Sequence, residues 1–471
     1  MVEQFIYMLP LLILLCGVIF FAFKNFSVEA TPQCFKLSRL ILLASFIMQV
    51  IFYNRPMLAN LSSANHLTLI FICWLYGAAA INLYLARKWF NGIKQSGASF
   101  CSAIIFAVIS GCLLIISKNI FLTGGAIILL FFITYRILKE NDDGNLLMQH
   151  RTSYAKMILF FSLMLGMATW IIYKQSGVSD YVSLKNFFEN HQGNILSYIS
   201  VCIFIVSIIF FVGMAPLHYW FATASAKMSL PVLIYFLLVP PILGLISLSR
   251  LNMLMLILFN DNLQIFYAGI GLISVFIGAL GACSSSNIRQ LLVYTLILQQ
   301  GIVYLVLQHF SLEAVQTAIV YLLVCWLAVT GICIGLFCFK IKGEYLSHFE
   351  QFANASYQKP YAAAVMTLLL FSLLGLPPLS GALSLFAVLN ELAVHNHFYS
   401  LVYVLVMLLV LSYAYLQFVQ KIYFDSSRYN FDRTGFDLYI VLLLIMVVMA
   451  FVVLQPHYLI GNSWLSEIFY G

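Results

Sequence analysis

The segment Gly375-Leu376-Pro377-Pro378-Leu379-Ser380-Gly381 lies inside an apolar run, 362–394, that is too long for one straight helix. A proline within a helix removes a backbone donor and clashes with the preceding turn, so the run is expected to kink or unwind here. A second segment of the same kind, Gly213-Met214-Ala215-Pro216-Leu217-His218-Tyr219-Trp220, interrupts the run 195–221. Two readings are open. The prolines either kink packed helices or break them, and in hydrocarbon a broken helix must face protein or a water-filled cavity, because its freed carbonyls need partners.

Working outward, the medium around these segments is a bilayer. The 471 residues are 63% hydrophobic and 8% charged, with a mean hydropathy of +1.00. A soluble domain carries about 25% charged residues, and a water-facing surface cannot be built from a third of that load. A membrane β-barrel would show ten-residue strands of alternating polarity. The runs here, such as 100–117 and 440–454, are continuous instead, so the chain is expected to be all-α. Apolar runs predict fourteen spans: 5–23, 37–54, 66–85, 100–117, 119–135, 154–173, 195–221, 229–248, 263–283, 290–308, 315–339, 362–394, 399–420 and 438–456.

Charge supplies orientation. The net charge of +7 reads as Lys and Arg retained on one face of a membrane, not as a surface for nucleic acid. Eighteen of the 23 basic residues fall in or beside loops that follow odd-numbered spans; only Arg55, Lys118, Lys174, Lys185 and Arg250 fall on the other side. The basic side is thus expected to be cytoplasmic or matrix, with both termini on the periplasmic or intermembrane-space side. The ten cysteines are scattered through apolar runs without metal-ligand spacing and read as small buried hydrophobes. The N-terminus lacks the basic flank of a cleaved signal, so the first span is expected to stay. The polar stretches 136–156, 174–193, 340–360 and 421–437 read as loops and hold no phosphate-binding loop or nucleotide fingerprint.

The two interruptions hold equivalent places, each in the fourth span of a set of five. Matching breaks in two halves are the mark of a transport scaffold built from inverted repeats, and an odd number of spans per repeat forces the inversion. The expected organisation is a three-span segment over 1–99, a first five-span repeat over 100–250, a second over 251–421, and a C-terminal span over 422–471.

At this point the residues become specific. Ala215-Pro216-Leu217-His218-Tyr219-Trp220 resembles the A-P-F-H-F-W stretch of the family formed by subunit 2, or subunit N, of proton-pumping NADH:quinone oxidoreductase (respiratory complex I). Gly375-Leu376-Pro377-Pro378-Leu379-Ser380-Gly381 looks like its G-L-P-P-L-T-G, followed by Asn390-Glu391-Leu392 where the mitochondrial type has Q-E-L. Ile288-Arg289-Gln290-Leu291-Leu292-Val293-Tyr294, with Gly301 after it, is similar to the family's L-R/K-x-L-L-A-Y-S-S-I-x-H-x-G. The resemblance covers about 195–395 in family order; outside that range only the number of spans agrees.

The resemblance implies an antiporter-like membrane-arm subunit that helps couple quinone reduction to proton translocation. It implies neighbouring membrane-arm subunits as partners and no cofactor on this chain, with NAD, FMN, iron–sulfur clusters and quinone held elsewhere in the complex. The same fold also serves cation/proton antiporter, membrane-bound hydrogenase and bicarbonate-uptake complexes, which form the alternative assignment. A stand-alone transporter would need its own ion site.

The family's intramembrane charges are where this sequence departs. Its helix-seven lysine falls on Phe211, its helix-eight lysine on or near Pro241, inside Val239-Pro240-Pro241, and its helix-twelve lysine on Leu385. The helix-five glutamate falls near Gly125-Ala126, the helix-ten histidine falls on Gln299, and Ala222-Thr223 replaces the acidic residue after the tryptophan. A mid-membrane charge costs about 2.5–3.5 kcal/mol or more and persists where it functions; Phe, Pro and Leu remove both the cost and the proton-holding capacity. Either this subunit has lost pumping and links its neighbours, or it uses substitutes. The substitutes in or near spans are His218, Lys227, Gln299, Gln300 and Glu391, with Arg250, His395 and His397 beside them. His218, just past the break, reads as a relay or as a histidine bound to freed carbonyls. Lys227 reads as a relay or as a loop lysine, and Glu391 as a buried or an interfacial acid. Gln299 and Gln300 order water but store no charge.

Overall fold

The computed structural model describes residues 7–23, 30–52, 66–93, 97–139, 145–190, 195–258, 260–309, 311–426, 430–433 and 435–454. Its architecture is all-α and membrane-embedded. In chain order the helices are α1 (Leu9–Phe23), α2 (Thr31–Ile51), α3 (His66–Ile93), α4 (Ala98–Ile116), α5 (Ile120–Lys139), α6 (Asn145–Ser176), α7 (Tyr181–Asn190), α8 (Ile195–Val212), α9 (Tyr219–Ser225) and α10 (Leu230–Leu258). They continue with α11 (Asn260–Ser284), α12 (Ile288–Leu307), α13 (Leu312–Leu336), α14 (Ala355–Gln358), α15 (Pro360–Leu373), α16 (Ser380–Val394), α17 (Phe398–Tyr423) and α18 (Phe436–Leu454). Eleven are long and apolar enough to cross a membrane, and α1, α15, α16 and α18 add shorter apolar segments. The described part of each of the fourteen predicted spans falls on these helices, with α8 and the start of α9 sharing the seventh and α15 and α16 together forming the twelfth. The two ends of the chain, and with them the sidedness of the termini and Trp464, lie outside the described residues.

The chain forms two compact units. One holds α1–α8 and α10; the other holds α9 and α11–α18. In the first, α10 is buried along its whole membrane window and packs on α3, α4, α5, α7 and α8. It stays helical through Pro240 and Pro241, whereas both segments that do unwind carry a glycine at positive φ three residues before a proline: Gly213 (φ 78°) before Pro216, and Gly375 (φ 77°) before Pro378. Proline alone therefore does not end a buried helix in this chain. A left-handed residue, which turns the chain off the helical path at little cost only as glycine, does. In the second unit α13 is the hub and packs on α12, α15, α16 and α18.

Three stretches that read as plain loops carry structure. α6 begins inside 136–156, at Asn145. Within 174–193 the short helix α7 is stitched to the α4–α5 turn: Tyr181 N–H donates to the Lys118 carbonyl (3.0 Å), Ile120 N–H to that of Ser179 (2.9 Å), and the Tyr181 hydroxyl meets Thr123 Oγ1 at 2.7 Å. Within 340–360 a two-stranded hairpin, β1 (Lys340–Ile341) and β2 (Glu344–Tyr345), turns at Lys342-Gly343, and Asp432 accepts both turn N–H groups (3.2 and 2.7 Å). Lys359 donates to the carbonyls of Cys338 (2.6 Å) and Asp432. Such short-range polar stitching leaves no hydrophobic periodicity, so the polarity of these stretches hid their order.

Candidate functional site

The break of the twelfth span is the best-defined polar feature of the second unit. α15 ends at Leu373, the chain turns through Gly375, and α16 starts at Ser380. In an unbroken helix the Leu373 carbonyl would accept from the N–H of residue 377, which is proline and has none. Gln299 of α12 supplies the donor instead: its Nε2 bonds the Leu373 carbonyl at 3.0 Å. The Gln299 carbonyl oxygen in turn accepts from the Tyr321 hydroxyl of α13. The two ends of the break are clasped by Ser372, whose hydroxyl accepts the Gly381 N–H at 3.1 Å. Gln299, only 1% exposed, thus holds the break shut and stores no charge.

Replacing it should show this. Gln299→Leu leaves the Leu373 carbonyl buried without its donor, at about 1–3 kcal/mol, takes from the Tyr321 hydroxyl its acceptor on α12, and is expected to lower the thermal stability of the solubilised chain. Gln299→His, which keeps one ring donor and one ring acceptor, should recover most of that loss in the same melting experiment. Equal melting of the leucine and histidine variants would show that the Leu373 and Tyr321 bonds contribute nothing.

The break of the seventh span is milder. Gly213 packs its Cα against Phe221, Ser274 of α11 donates to the Ala215 carbonyl (3.3 Å), and α9 resumes at Tyr219. His218 lies in this turn with its ring 6.5 Å from that of Tyr294 and its Nδ1 without a hydrogen-bond partner among the described residues. Pro216 is exposed, and so are Pro377 and Pro378 at the other break.

Glu391 sits on the buried side of α16, 6% exposed. Its carboxylate accepts from the Ser311 hydroxyl (3.3 Å) and lies 3.3 Å from His395 Nε2. α16 closes at Asn396, in the left-handed region (φ 61°), with His397 N–H donating to the Leu392 carbonyl (2.9 Å). That closure sets His395 and His397 against His309, with ring centroids 4.1 and 4.8 Å from it. Burial, and then the neighbouring His395 and His397, push the His309 pKa down to about 3; burial and His395 lower that of His397. Packed imidazoles this close cannot all be charged.

Other predicted candidates are elsewhere. Lys227 is exposed in the turn before α10. Arg250, near the end of α10, donates to the carbonyls of Leu114 (3.0 Å), Ile115 and Ser117 and to the Ser117 hydroxyl, capping the last turn of α4. Three of the positions that carry charge in the resemblance, Phe211, Pro241 and Leu385, are packed. Phe211 and Phe210 join Phe131, Tyr154 and Phe161 in an aromatic cluster, with Phe161 stacked on Phe210 at 4.2 Å. Pro241 is buried within α10, and Leu385 is buried against Gly375.

Sequence reading missed His309, Tyr304 and Gln308. The spacing was available: Gln300, Tyr304 and Gln308 recur every four residues and so share a face of α12. Among the described residues no group of His, Cys, Asp and Glu is arranged to hold a metal ion.

A bundle of apolar helices with two glycine–proline breaks, each of them partnered through a polar side chain from α11 or α12, defines a membrane protein of the discontinuous-helix transport class. Within it, the chain belongs to the family described as NADH:quinone oxidoreductase/Mrp antiporter, TM, whose model matches residues 147–412. It is similar to NADH-quinone oxidoreductase subunit N of Rhodospirillum rubrum, 23% identical over 388 residues that span 82% of this chain and 80% of that protein. In fold it is similar to a chain of respiratory complex I from Thermus thermophilus (TM-score 0.79, 17% identity, 97% of this chain and 98% of that one). It is also similar in fold to a chain of the archaeal membrane-bound sulfane sulfur reductase (TM-score 0.82, 14% identity, 99% of this chain and 97% of that one).

Proposed function

We propose that this chain is a subunit-N-type antiporter-like component of the membrane arm of an NADH:quinone oxidoreductase, in a bacterial cytoplasmic or mitochondrial inner membrane. The observation that carries the assembly reading is the exposed break. Leu376, Pro377 and Pro378 lie at the surface of a membrane segment where Pro377 and Pro378 bring carbonyls and no N–H. Irregular backbone at membrane depth is tolerated against protein or water and not against lipid, so this surface fits a neighbouring membrane subunit and does not suit a solitary transporter. The relatives point to which assembly: the Rhodospirillum protein, matched over most of both chains, is named for NADH-quinone oxidoreductase. The fold alone does not choose, since the sulfane sulfur reductase shares it.

Within that assembly the chain supplies no redox centre; NAD, FMN, iron–sulfur clusters and quinone belong to other subunits. The matching glycine turns of the seventh and twelfth spans support two inverted five-span repeats over 100–250 and 251–421. In the first unit the aromatic cluster around Phe211 replaces a proton-holding group with packed rings, so no proton is handed along that line. Any proton this subunit moves travels through the second unit.

The test is composition. A tagged copy, pulled from gently solubilised membranes, is expected to bring down an NADH-oxidising complex identified by mass spectrometry. Recovery alone, or only with a cation/proton antiporter, hydrogenase or bicarbonate-uptake set, would overturn the assignment.

A further inference from the structure

Two arginines of the first unit are held together without a counter-charge. Arg39 lies in the first half of α2 and Arg87 near the end of α3. Ring contacts between Phe35 and Phe90 (5.7 Å) and between Phe90 and Phe100 (5.5 Å) bring these helix ends to one place. Both arginines are half-buried, and they are close enough for their charges to repel. Arg39 Nε donates to the Phe35 carbonyl (3.1 Å), which fixes the guanidinium and leaves its two terminal nitrogens without an acceptor among the described residues. Arg87 has no hydrogen-bond or ion-pair partner among the described residues. Other enclosed cations of this chain are matched: Arg250 caps α4, Lys359 donates to two carbonyls, and Arg136 donates to the Ser102 hydroxyl at 3.0 Å.

Two lysines extend the pair. Lys36, exposed, stands one turn before Arg39 on the same face of α2, and Lys88 follows Arg87 with its Nζ 5.3 Å from the centre of the Tyr84 ring. Like charges at the edge of hydrocarbon repel more strongly than they do in water. Among the described residues no carboxylate meets either arginine, so the balancing charge fits a bound anion. What lies beneath the cations says which anion. Lys36, Leu40, Leu43 and Ile47 share one face of α2, and the three apolar residues are 54%, 57% and 48% exposed. From Lys36 to Ile47 is about 17 Å along the axis, close to the depth of one leaflet in a hydrocarbon core of about 30 Å. Four cations thus stand directly above an apolar stripe as long as an acyl chain.

We propose that Lys36, Arg39, Arg87 and Lys88 form a binding site for the phosphodiester headgroup of an anionic phospholipid, whose acyl chain lies along Leu40, Leu43 and Ile47. A guanidinium offers a planar fork that matches two phosphate oxygens, and a lysine adds a mobile point charge beside it. Basic residues gathered between membrane helices at one face recognise anionic headgroups in this way. A phosphate between Arg39 and Arg87 turns their repulsion into two attractions and ties α2 to α3; without it the pair pushes these helix ends apart. Free phosphate shares the anionic group and lacks the chain that would use the stripe. The site belongs to the N-terminal three-span segment, and it holds whichever assembly the chain joins.

The experiment melts the full chain, delipidated in a neutral detergent, with phosphatidylglycerol, phosphatidylcholine or inorganic phosphate added. Phosphatidylglycerol is expected to raise the melting temperature, less so as salt is added, and the other two are expected to leave it nearly unchanged. Arg87→Gln should weaken phosphatidylglycerol binding about tenfold or more, as the loss of a charge-assisted hydrogen bond does. Without lipid, Arg87→Gln should melt no lower than the parent, because it removes a repulsion; a merely structural arginine would lower it. Lys36→Gln, at an exposed position, should weaken binding less, and it serves the same comparison if Arg87→Gln does not accumulate. A shift that both variants keep in full overturns the site. An equal shift with inorganic phosphate overturns the lipid as its occupant, and an equal shift with phosphatidylcholine overturns the role of charge. Native mass spectrometry of the assembled complex should find phosphatidylglycerol retained with the parent and depleted with Arg87→Gln. Binding to the isolated chain that disappears on assembly would give the site to a carboxylate of a neighbouring subunit and overturn the lipid reading there.

Discussion

Gly381→Ala is expected to prevent the chain from accumulating in the membrane. A Cβ at this position would overlap the Ser372 carbonyl oxygen and carbon. Both belong to backbone, so no rotamer change relieves the clash. The close approach is what lets Ser372 accept the Gly381 N–H and bring the end of α15 against the start of α16. Pushing the two apart also strains the turn in which Gly375 is already left-handed. A clash that packing cannot absorb costs about 3 kcal/mol or more, a large part of the 5–15 kcal/mol or so that holds a typical fold. The control is the same substitution where a Cβ meets nothing within 4 Å, as at Gly166 in α6 and Gly269 in α11. There alanine improves helix propensity by up to about 1 kcal/mol, and normal amounts of chain should be found by immunoblot. Normal amounts of Gly381→Ala as well would mean that the break is looser than the Ser372–Gly381 contact implies.

The bilayer, the spans and the breaks were legible because they are written in composition and in glycine–proline punctuation, signals that depend on one helix at a time. The run 362–394 was too long for a straight helix, and Gly375, Pro377 and Pro378 said where it would part. The partner of the break was not legible. That Gln299 donates to Leu373 depends on how α12 lies on α15, which no local pattern encodes; as a sequence feature Gln299 marked only a replaced histidine. The same holds for the histidine cluster. His395 and His397 stood out near the end of a span, but His309 lies far from them in sequence and joins them only through the closure of α16 at Asn396. The loops failed for a different reason. Order in 340–360 comes from Lys359 and Asp432 capping backbone groups, and charged residues between spans read as solvated until their partners are known.

The five basic residues on the charge-poor face raise a question that one of them answers. Arg250 is no proton carrier by geometry: its guanidinium donates to the carbonyls of Leu114, Ile115 and Ser117 and to the Ser117 hydroxyl. α4 ends at Ile116, and Ser117 is extended, so those carbonyls have no further turn to bond to. A helix C-terminus also carries partial negative charge that a cation stabilises. Arg250→Met keeps an apolar stem and removes every donor, leaving two or three carbonyls buried at about 1–3 kcal/mol each. The expected result is a chain that melts at markedly lower temperature in detergent, with less complex recovered from membranes. Arg250→Lys should restore only part of this, since one ammonium is a point charge and cannot match a planar fork spanning several acceptors. What separates a helix cap from a proton carrier is the coupling ratio: complex assembled with Arg250→Lys should move as many protons per NADH as the unsubstituted form. A lowered ratio with normal melting would place Arg250 on a proton path and not at the end of a helix.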